Sequence, residues 1–176
     1  MSIRILAIDP GINHLGWSVH EYDQDKDQDQ IVEVGQIDAT KIAHKFNKQD
    51  FKTYGNVFSL HILEKEIRSL LQRIQPQEVC CEGAFMARFP LAFASLKLCI
   101  NVIQQVLYLD YKLQLNLIAP KEAKKAVFKG TAVKDEVQTA IRKIKGLQIP
   151  KDLELTEHQA DSIAIGYAYI TLNHKK

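Results

Sequence analysis

The sequence predicts one mixed α/β domain spanning residues 1–176, and three observations indicate this class. The chain has 176 residues, 46% of them hydrophobic and 25% charged, which suits a single globular domain with a sizeable core. Three strand-like patterns lie between residues 3 and 38. Beyond residue 56, helical and strand-like patterns alternate without a repeat or an evident linker.

The first predicted strand, residues 3–9, is a nearly unbroken apolar run that ends in a carboxylate, Asp9. Such a run is typical of a central strand covered on both faces. Pro10 and Gly11 stop the strand, because proline cannot donate to the ladder and glycine accepts a positive φ. Asp9 is therefore expected at the end of a buried strand, where its charge needs a partner; a turn-forming aspartate is the alternative interpretation.

Two further strands are predicted over residues 17–22 and 31–38, so the chain opens with an antiparallel meander. Residues 23–30 contain only Asp, Gln and Lys, and are interpreted as a solvated hairpin turn without a functional role. Residues 39–56 mix basic and aromatic side chains in a loop or a short helix. That mixture is compatible with a nucleic-acid surface, although a partly packed excursion is the more common structure.

Apolar spacing predicts a helix over residues 57–74, and the strand Glu78–Glu82 follows it, ending in a second carboxylate before Gly83. Another helix, residues 91–109, is apolar on most faces and is therefore expected to be well buried. Residues 114–118 form the fifth predicted strand.

Residues 119–145 carry a strong local charge, with eight basic against three acidic residues, so that their excess of +5 exceeds the +2 of the whole chain. A helix is predicted from Pro120, and Gly130 and Thr131 separate it from a second helix over residues 133–145. A solvated helical face is one interpretation, but contact with a phosphate backbone is favoured. The candidate DNA-binding lysines are Lys121, Lys124, Lys125, Lys129 and Lys134.

The last helix, residues 157–172, follows a suitable N-cap residue, Thr156. His158 and Asp161 are three residues apart and so share one face of its first turn. Small residues further along, among them Gly166, allow this helix to approach the sheet closely.

Four potential metal ligands emerge from these elements: Asp9, Glu82, His158 and Asp161. Each alone is a weak signal, since acids often form turns and a lone histidine is usually structural. Three carboxylates at one edge of a sheet would repel one another unless a cation compensated them. Oxygen-rich sets suit Mg²⁺, with Mn²⁺ as a substitute, and two such ions bridged by one carboxylate serve phosphodiester hydrolysis.

The three cysteines, Cys80, Cys81 and Cys99, lack the spacing of a zinc site or a disulfide framework, and are expected to be reduced and buried. The N-terminus shows no signal pattern, and no apolar stretch is judged long enough to cross a bilayer. We therefore expect a cytoplasmic protein, in the host cytoplasm if a phage encodes it.

The set of motifs, in this order, resembles the RuvC family of Holliday-junction resolvases, within the RNase H-like (retroviral integrase) superfamily. The motifs are Asp9-Pro10-Gly11 with Gly16-Trp17, then Glu82-Gly83-Ala84-Phe85, the lysine-rich stretch to Lys134, and His158-Gln159-Ala160-Asp161-Ser162-Ile163-Ala164. The resemblance implies a five-stranded mixed sheet flanked by helices. It also implies a homodimer that nicks four-way DNA junctions symmetrically, with divalent metal, leaving 5′-phosphate and 3′-hydroxyl ends during recombination or repair.

Roles carry over residue by residue from this resemblance. Asp9, Glu82 and Asp161 match the family's acidic ligands, and His158 falls where members carry either Asp or His. Phe85 matches an aromatic that unstacks bases at the crossover. Lys134, together with Lys124 or Lys125, matches lysines that meet the DNA backbone near the scissile phosphate.

Two departures from the family pattern and two alternative functions stay open, and a third alternative is excluded by length. Residues 41–56 are longer than the family pattern, and residues 86–90 differ from it, so cleavage preference does not carry over; such divergence is more typical of a phage-type resolvase. A YqgF-type nuclease acting on structured RNA shares the opening motif, and a non-catalytic binder of branched DNA is the other alternative. An actin-like kinase needs two such domains, which 176 residues cannot supply.

Overall fold

The computed structural model describes residues 1–46, 48–85, 90–128, 134–150 and 152–175, apart from the side chains of Phe46, Lys134 and Asp135. The strands are β1 (Ser2–Asp9), β2 (His14–Asp23), β3 (Gln28–Asp38), β4 (Glu78–Glu82), β5 (Leu115–Ile118) and β6 (Leu147–Gln148). The helices are α1 (Ala39–Phe46), α2 (Lys48–Tyr54), α3 (Asn56–Ile74), α4 (Pro90–Val106), α5 (Pro120–Val127), α6 (Lys134–Ile141) and α7 (Glu157–Asn173), and a π-helical turn, Leu107–Tyr111, continues α4.

The six strands form one mixed sheet in the order β5-β4-β1-β2-β3-β6. As predicted, β1, β2 and β3 are antiparallel to one another, whereas β4 and β5 run parallel to β1. The expected count of five strands is one too low, because β6 was not predicted. The helix before it, α6, is also shorter than predicted. β6 has two residues, which is too few to show a sequence pattern, and it pairs with Asp29 and Gln30 of β3.

Both faces of β1 are buried, as its apolar run predicts. Leu6 and Ile8 face a core shared with α1, α3 and α4, while Ile5 and Ala7 face a core shared with α7. All four side chains are at most 1% exposed. The alternation follows from the two-residue period of a strand, and it makes β1 the centre of a three-layer structure.

Helix α7 lies against the sheet as closely as its small residues predict. Thr156 caps it, its hydroxyl accepting a hydrogen bond from the amide of Gln159 at 3.4 Å. At Gly166 an added Cβ would lie 2.2 Å from Nε2 of His20 on β2, so only glycine allows this contact. The close approach brings the first turn of α7 to the sheet edge where β1 ends.

A buried polar network beneath α7 is absent from the sequence-based account. His20 Nδ1 donates to Asp29 at 2.8 Å, and Ser18 Oγ lies 3.1 Å from Nε2 of the same ring. All three residues are 0% exposed. The interpretation of residues 23–30 as a solvated turn is therefore wrong at its end, because β3 begins at Gln28 and turns Asp29 into the core.

The expected burial of the helix at residues 91–109 is also wrong. Only one stripe is buried, since the core contacts come from Cys99, Ile100, Ile103, Val106 and Leu107. The opposite stripe exposes large apolar side chains: Leu91 (85%), Leu98 (50%), Tyr108 (66%) and Leu109 (51%). Contrary to expectation, the span Pro90–Tyr111 is also long and apolar enough to cross a membrane by length and composition, a weak criterion that core helices meet too.

Two further expectations concern the cysteines and residues 39–56. All three cysteines are buried free thiols, as predicted. Residues 39–56, left open as a loop or short helix, contain two helices, α1 and α2.

Candidate active site

Three structural elements converge at one edge of the sheet. β1 and β4 are parallel neighbours, with Ile8 paired to Cys81, so the next residue of each strand, Asp9 and Glu82, emerges at the same edge. Helix α7 begins there as well and carries His158 and Asp161 in its first turns. The topology thus brings all four predicted ligands to one edge.

His158 binds Asp9 directly. Its Nδ1 donates a hydrogen bond to Asp9 Oδ2 at 2.8 Å, and the Asp9 side chain is only 14% exposed. This hydrogen bond, with the negative charge of Asp9, raises the pKa of His158. Gly16, opposite Asp9 on β2, makes the contact possible, because a Cβ there would lie 2.2 Å from the His158 carbonyl oxygen.

Glu82 and Asp161 line a groove of about 250 Å³ together with Lys124. Burial, the largest cause, and the charges of Asp9 and Asp161 together raise the pKa of the Glu82 carboxyl to about 7, although Lys124 acts to lower it. The three carboxylates are therefore close enough to repel one another. A site of this kind favours a bound cation.

The donor chemistry fits a divalent metal, but the side chains do not form a ready-made ligand set. Within the described ranges, no three His, Cys, Asp or Glu side chains are close enough together to hold an ion. Asp9 instead pairs with His158. Carboxylate oxygens are the ligands that Mg²⁺ and Mn²⁺ prefer, so binding requires the side chains to turn toward the ion.

The predicted DNA-binding residues surround this groove unequally. Lys124 lies beside Glu82, whereas Lys125 lines only a neighbouring groove of about 690 Å³ with Phe85 and Lys121. The Phe85 side chain is 72% exposed. Lys129 lies outside the described residues, and Lys134 is described only as the first residue of α6.

His14 and Asp38 are site neighbours that sequence reasoning missed. The His14 ring stacks on His158 with centroids 5.9 Å apart, and its Nδ1 lies 3.6 Å from Asp38 Oδ2. The two residues pair across β2 and β3 at the active-site edge. Asp38 ended a predicted strand, which is too common a position to select it, and His14 lay before the predicted strand of residues 17–22.

Solved structures with a similar fold include Holliday junction resolvases. A Thermus thermophilus RuvC in complex with Holliday junction substrate superposes with a TM-score of 0.72, at 18% identity and 98% coverage of both chains. The yeast mitochondrial Holliday junction resolvase gives 0.66 at 14% identity, covering 96% of this chain and 78% of its own. A fowlpox virus resolvase with Holliday junction DNA gives 0.58 at 18% identity, covering 97% and 98%.

Sequence comparison reaches the same group of proteins. The crossover junction endodeoxyribonuclease RuvC of Synechocystis sp. is 27% identical over 94% of this chain and 89% of its own length. The RuvC of Wolbachia from Brugia malayi is 24% identical over 95% and 93%. The model of the family described as crossover junction endodeoxyribonuclease RuvC matches residues 5–169. Because that match spans nearly the whole sequence, the chain belongs to the RuvC family.

Proposed function

We propose that this chain is a metal-dependent endonuclease that resolves Holliday junctions, and acts on other branched DNA, by paired symmetric nicks during recombination or repair. Members of its family are metal-dependent nucleases. The observation that carries the proposal is the approach of Asp9, Glu82 and Asp161 at one edge of the sheet, where Glu82 and Asp161 line a groove with Lys124. Carboxylates that repel one another can hold divalent metal ions, and a neighbouring lysine can bind a phosphate; this combination suits hydrolysis of a phosphodiester.

Asp9, Glu82, His158 and Asp161 are the residues we propose to hold the metal. Two Mg²⁺ ions, or Mn²⁺ in their place, would supply an activated water and stabilise the leaving oxygen, so that the products carry 5′-phosphate and 3′-hydroxyl ends. Asp9 is the central ligand in this proposal because it contacts His158 and its charge acts on Glu82.

The basic side chains of the proposed site have separate roles. Lys124 faces Glu82, and we assign it to the phosphate nearest the cut, together with Lys134 at the start of α6. His158 orients the groups around Asp9 while its ring is held between Asp9 and His14. Lys124 is the better match to the family's lysine, because it lines the groove with Glu82 and its charge acts on that carboxyl, whereas Lys125 lines the neighbouring groove.

Phe85 and the α5 lysines provide the DNA surface in this proposal. The exposed ring of Phe85 borders an apolar groove whose rim carries Lys121, Lys124 and Lys125. Aromatic rings stack on unpaired bases, and lysines neutralise the adjacent phosphates. A junction crossover, where bases can unstack, presents both features together.

A homodimer is supported by the exposed stripe of α4. Leu98, Tyr108 and Leu109 are at least half exposed in the single chain, and they lie on one apolar helix continued by a π-helical turn. Burying such a stripe against a second copy removes apolar surface from water. Two coordinated nicks require two active sites, which a dimer supplies.

The direct experiment incubates the purified chain, residues 1–176, with a labelled immobile four-way junction in Mg²⁺, in Mn²⁺ and in chelator, beside matched duplex and three-way DNA. We expect paired symmetric nicks in the junction that disappear with chelator. Cleavage of structured RNA in place of DNA would indicate a YqgF-type activity. Tight junction binding with no cleavage in either metal would make the chain a non-catalytic binder.

A further inference from the structure

The segment formed by α1 and α2 carries a dense positive charge that the proposed active site does not use. Residues 39–55 contain four lysines, and Asp50 is their only acidic residue. The lysines are Lys41, Lys45, Lys48 and Lys52, and all four are exposed. Within the described part of the chain, none of the four forms an ion pair. The segment therefore presents a net charge of about +3 to solvent.

The core side of α1 and α2 is anchored. Ala43 is buried, and Ile42 and Phe51 pack against the core cluster that α3 and α4 share with the sheet. The rings of His44 and Phe51 are 4.9 Å apart, which links the two helices. Because α1 and α2 are anchored to the core, their exposed lysines have fixed positions and can contact one ligand together.

The segment formed by α1 and α2 begins at the active-site edge of the sheet. The amide of Ala39 donates to the Asn13 carbonyl at 2.9 Å, in the turn that follows Asp9. Asp38 accepts from the amide of Lys41 at 2.8 Å and lies 3.6 Å from His14, whose ring stacks on His158. A short chain of contacts thus joins the first lysine of α1 to the proposed catalytic groups. Lys124 of α5 lies beside Glu82 at the same edge. Helix α1 follows β3, which lies on the other side of β1 from β4 in the sheet.

We propose that Lys41, Lys45, Lys48 and Lys52 bind the phosphate backbone of one duplex arm of the junction. This inference rests on the proposed function, since it assigns a further surface to the same substrate. Lys41 and Lys45, like Lys48 and Lys52, are one helical turn apart, about 6 Å along the axis, so each pair faces one way. Duplex DNA carries one charge per roughly 1.7 Å of its axis and offers partners to all four. Contacts of this kind position an arm without reading its sequence.

The test measures junction affinity in chelator, where cutting cannot intervene, as a function of salt. The variants are the double substitutions Lys41→Gln with Lys45→Gln, and Lys48→Gln with Lys52→Gln. The matched control is Lys26→Gln with Lys65→Gln, two exposed lysines outside this segment that remove the same charge. The slope of log affinity against log salt is negative, and we expect each test pair to reduce its magnitude by about 2. The affinity at physiological salt should fall by roughly tenfold. The control is expected to leave the slope near that of the parent.

Hydroxyl-radical footprinting on the same junction locates the contact. The parent is expected to protect phosphates at the crossover and along one arm, and the variants only those at the crossover. Unchanged slopes and an unchanged arm footprint in both variants would overturn the inference while leaving junction binding by the parent intact. A parent that prefers the junction no more than duplex DNA would instead contradict the proposed function.

Discussion

The imidazole Nδ1 of His158 lies 2.8 Å from Oδ2 of Asp9, a contact that joins the first turn of α7 to the carboxyl end of β1. Residues 149 positions apart in the chain are thereby adjacent at the active-site edge of the sheet. The contact is possible because Gly16 leaves room for the backbone of α7. It holds the proposed central ligand in place before any metal binds.

Replacing His158 tests this contact. His158→Ala leaves Asp9 without its partner, and we expect single-turnover cleavage of the junction to fall by about 100-fold. His158→Asp provides the control, because an aspartate can ligate metal at this position, and it should recover a large part of the rate. Equal rates for the alanine variant and the parent would contradict a role for His158, as would an aspartate variant no better than alanine.

Glu82 makes the metal-free protein sensitive to pH. Its pKa is raised from 4.5 to about 7 by burial and by Asp9 and Asp161, so the folded state holds the proton more tightly than the unfolded state. The stabilisation is therefore complete below about pH 4.5 and is lost as pH rises through about 7. In chelator, Glu82→Gln should remove about 1–2 kcal/mol of the stability difference between about pH 5 and about pH 8.

Urea unfolding across this pH range measures that difference. Glu66→Gln, on the exposed face of α3, is the control and should follow the parent. A Glu82→Gln profile that coincides with the parent would show that Glu82 is not buried beside other carboxylates.

Gly166→Ala tests the seat of α7. The new Cβ would lie 2.2 Å from His20 Nε2, and hydrogen bonds to Asp29 and Ser18 hold that buried ring in place. We expect the free energy of unfolding to fall by about 2–3 kcal/mol. Gly83→Ala is the matched control, since its nearest neighbour would be 3.5 Å away, an ordinary contact. Equal losses for the two variants would mean that α7 does not depend on this close approach.

Leu98→Glu tests the proposed dimer. Leu98 is 50% exposed in the single chain, so a glutamate there should cost little in folding but should separate two copies that meet along α4. Leu172→Glu changes a leucine of α7 that is 57% exposed and serves as the control. Sedimentation equilibrium should show a monomer for Leu98→Glu and a dimer for Leu172→Glu and the parent; the same mass for all three would exclude this interface.

Local sequence patterns predicted the elements that carry the site. The strand Glu78–Glu82 was predicted with its final bounds, because a short apolar run is closed by Gly83 and preceded by Pro76. The N-cap at Thr156 was equally local. That Asp9 and Glu82 each end a strand was predicted, whereas the parallel pairing of β1 with β4, which brings them to one edge, is a finding of the structure.

Long-range packing explains the structural features that local sequence patterns did not predict. Asp29 lies in a run of polar residues, and only its pairing with His20 across a bulged register makes it a core residue. An apolar helix such as α4 can be buried on all sides or can leave one face exposed, and its composition is the same in both cases. His14 acquired its place from the stacking of α7 on β2, which no local pattern encodes.

Asp9→Asn on the labelled four-way junction tests the central claim, which is metal-dependent cleavage at the sheet edge where Asp9, Glu82 and Asp161 meet. We expect cleavage in Mg²⁺ to fall by roughly 1,000-fold, about 4 kcal/mol of added barrier, while junction affinity in chelator stays within about twofold. Asp25→Asn, at an exposed turn, should cut like the parent. Normal cutting by Asp9→Asn would contradict the account and place the active site elsewhere.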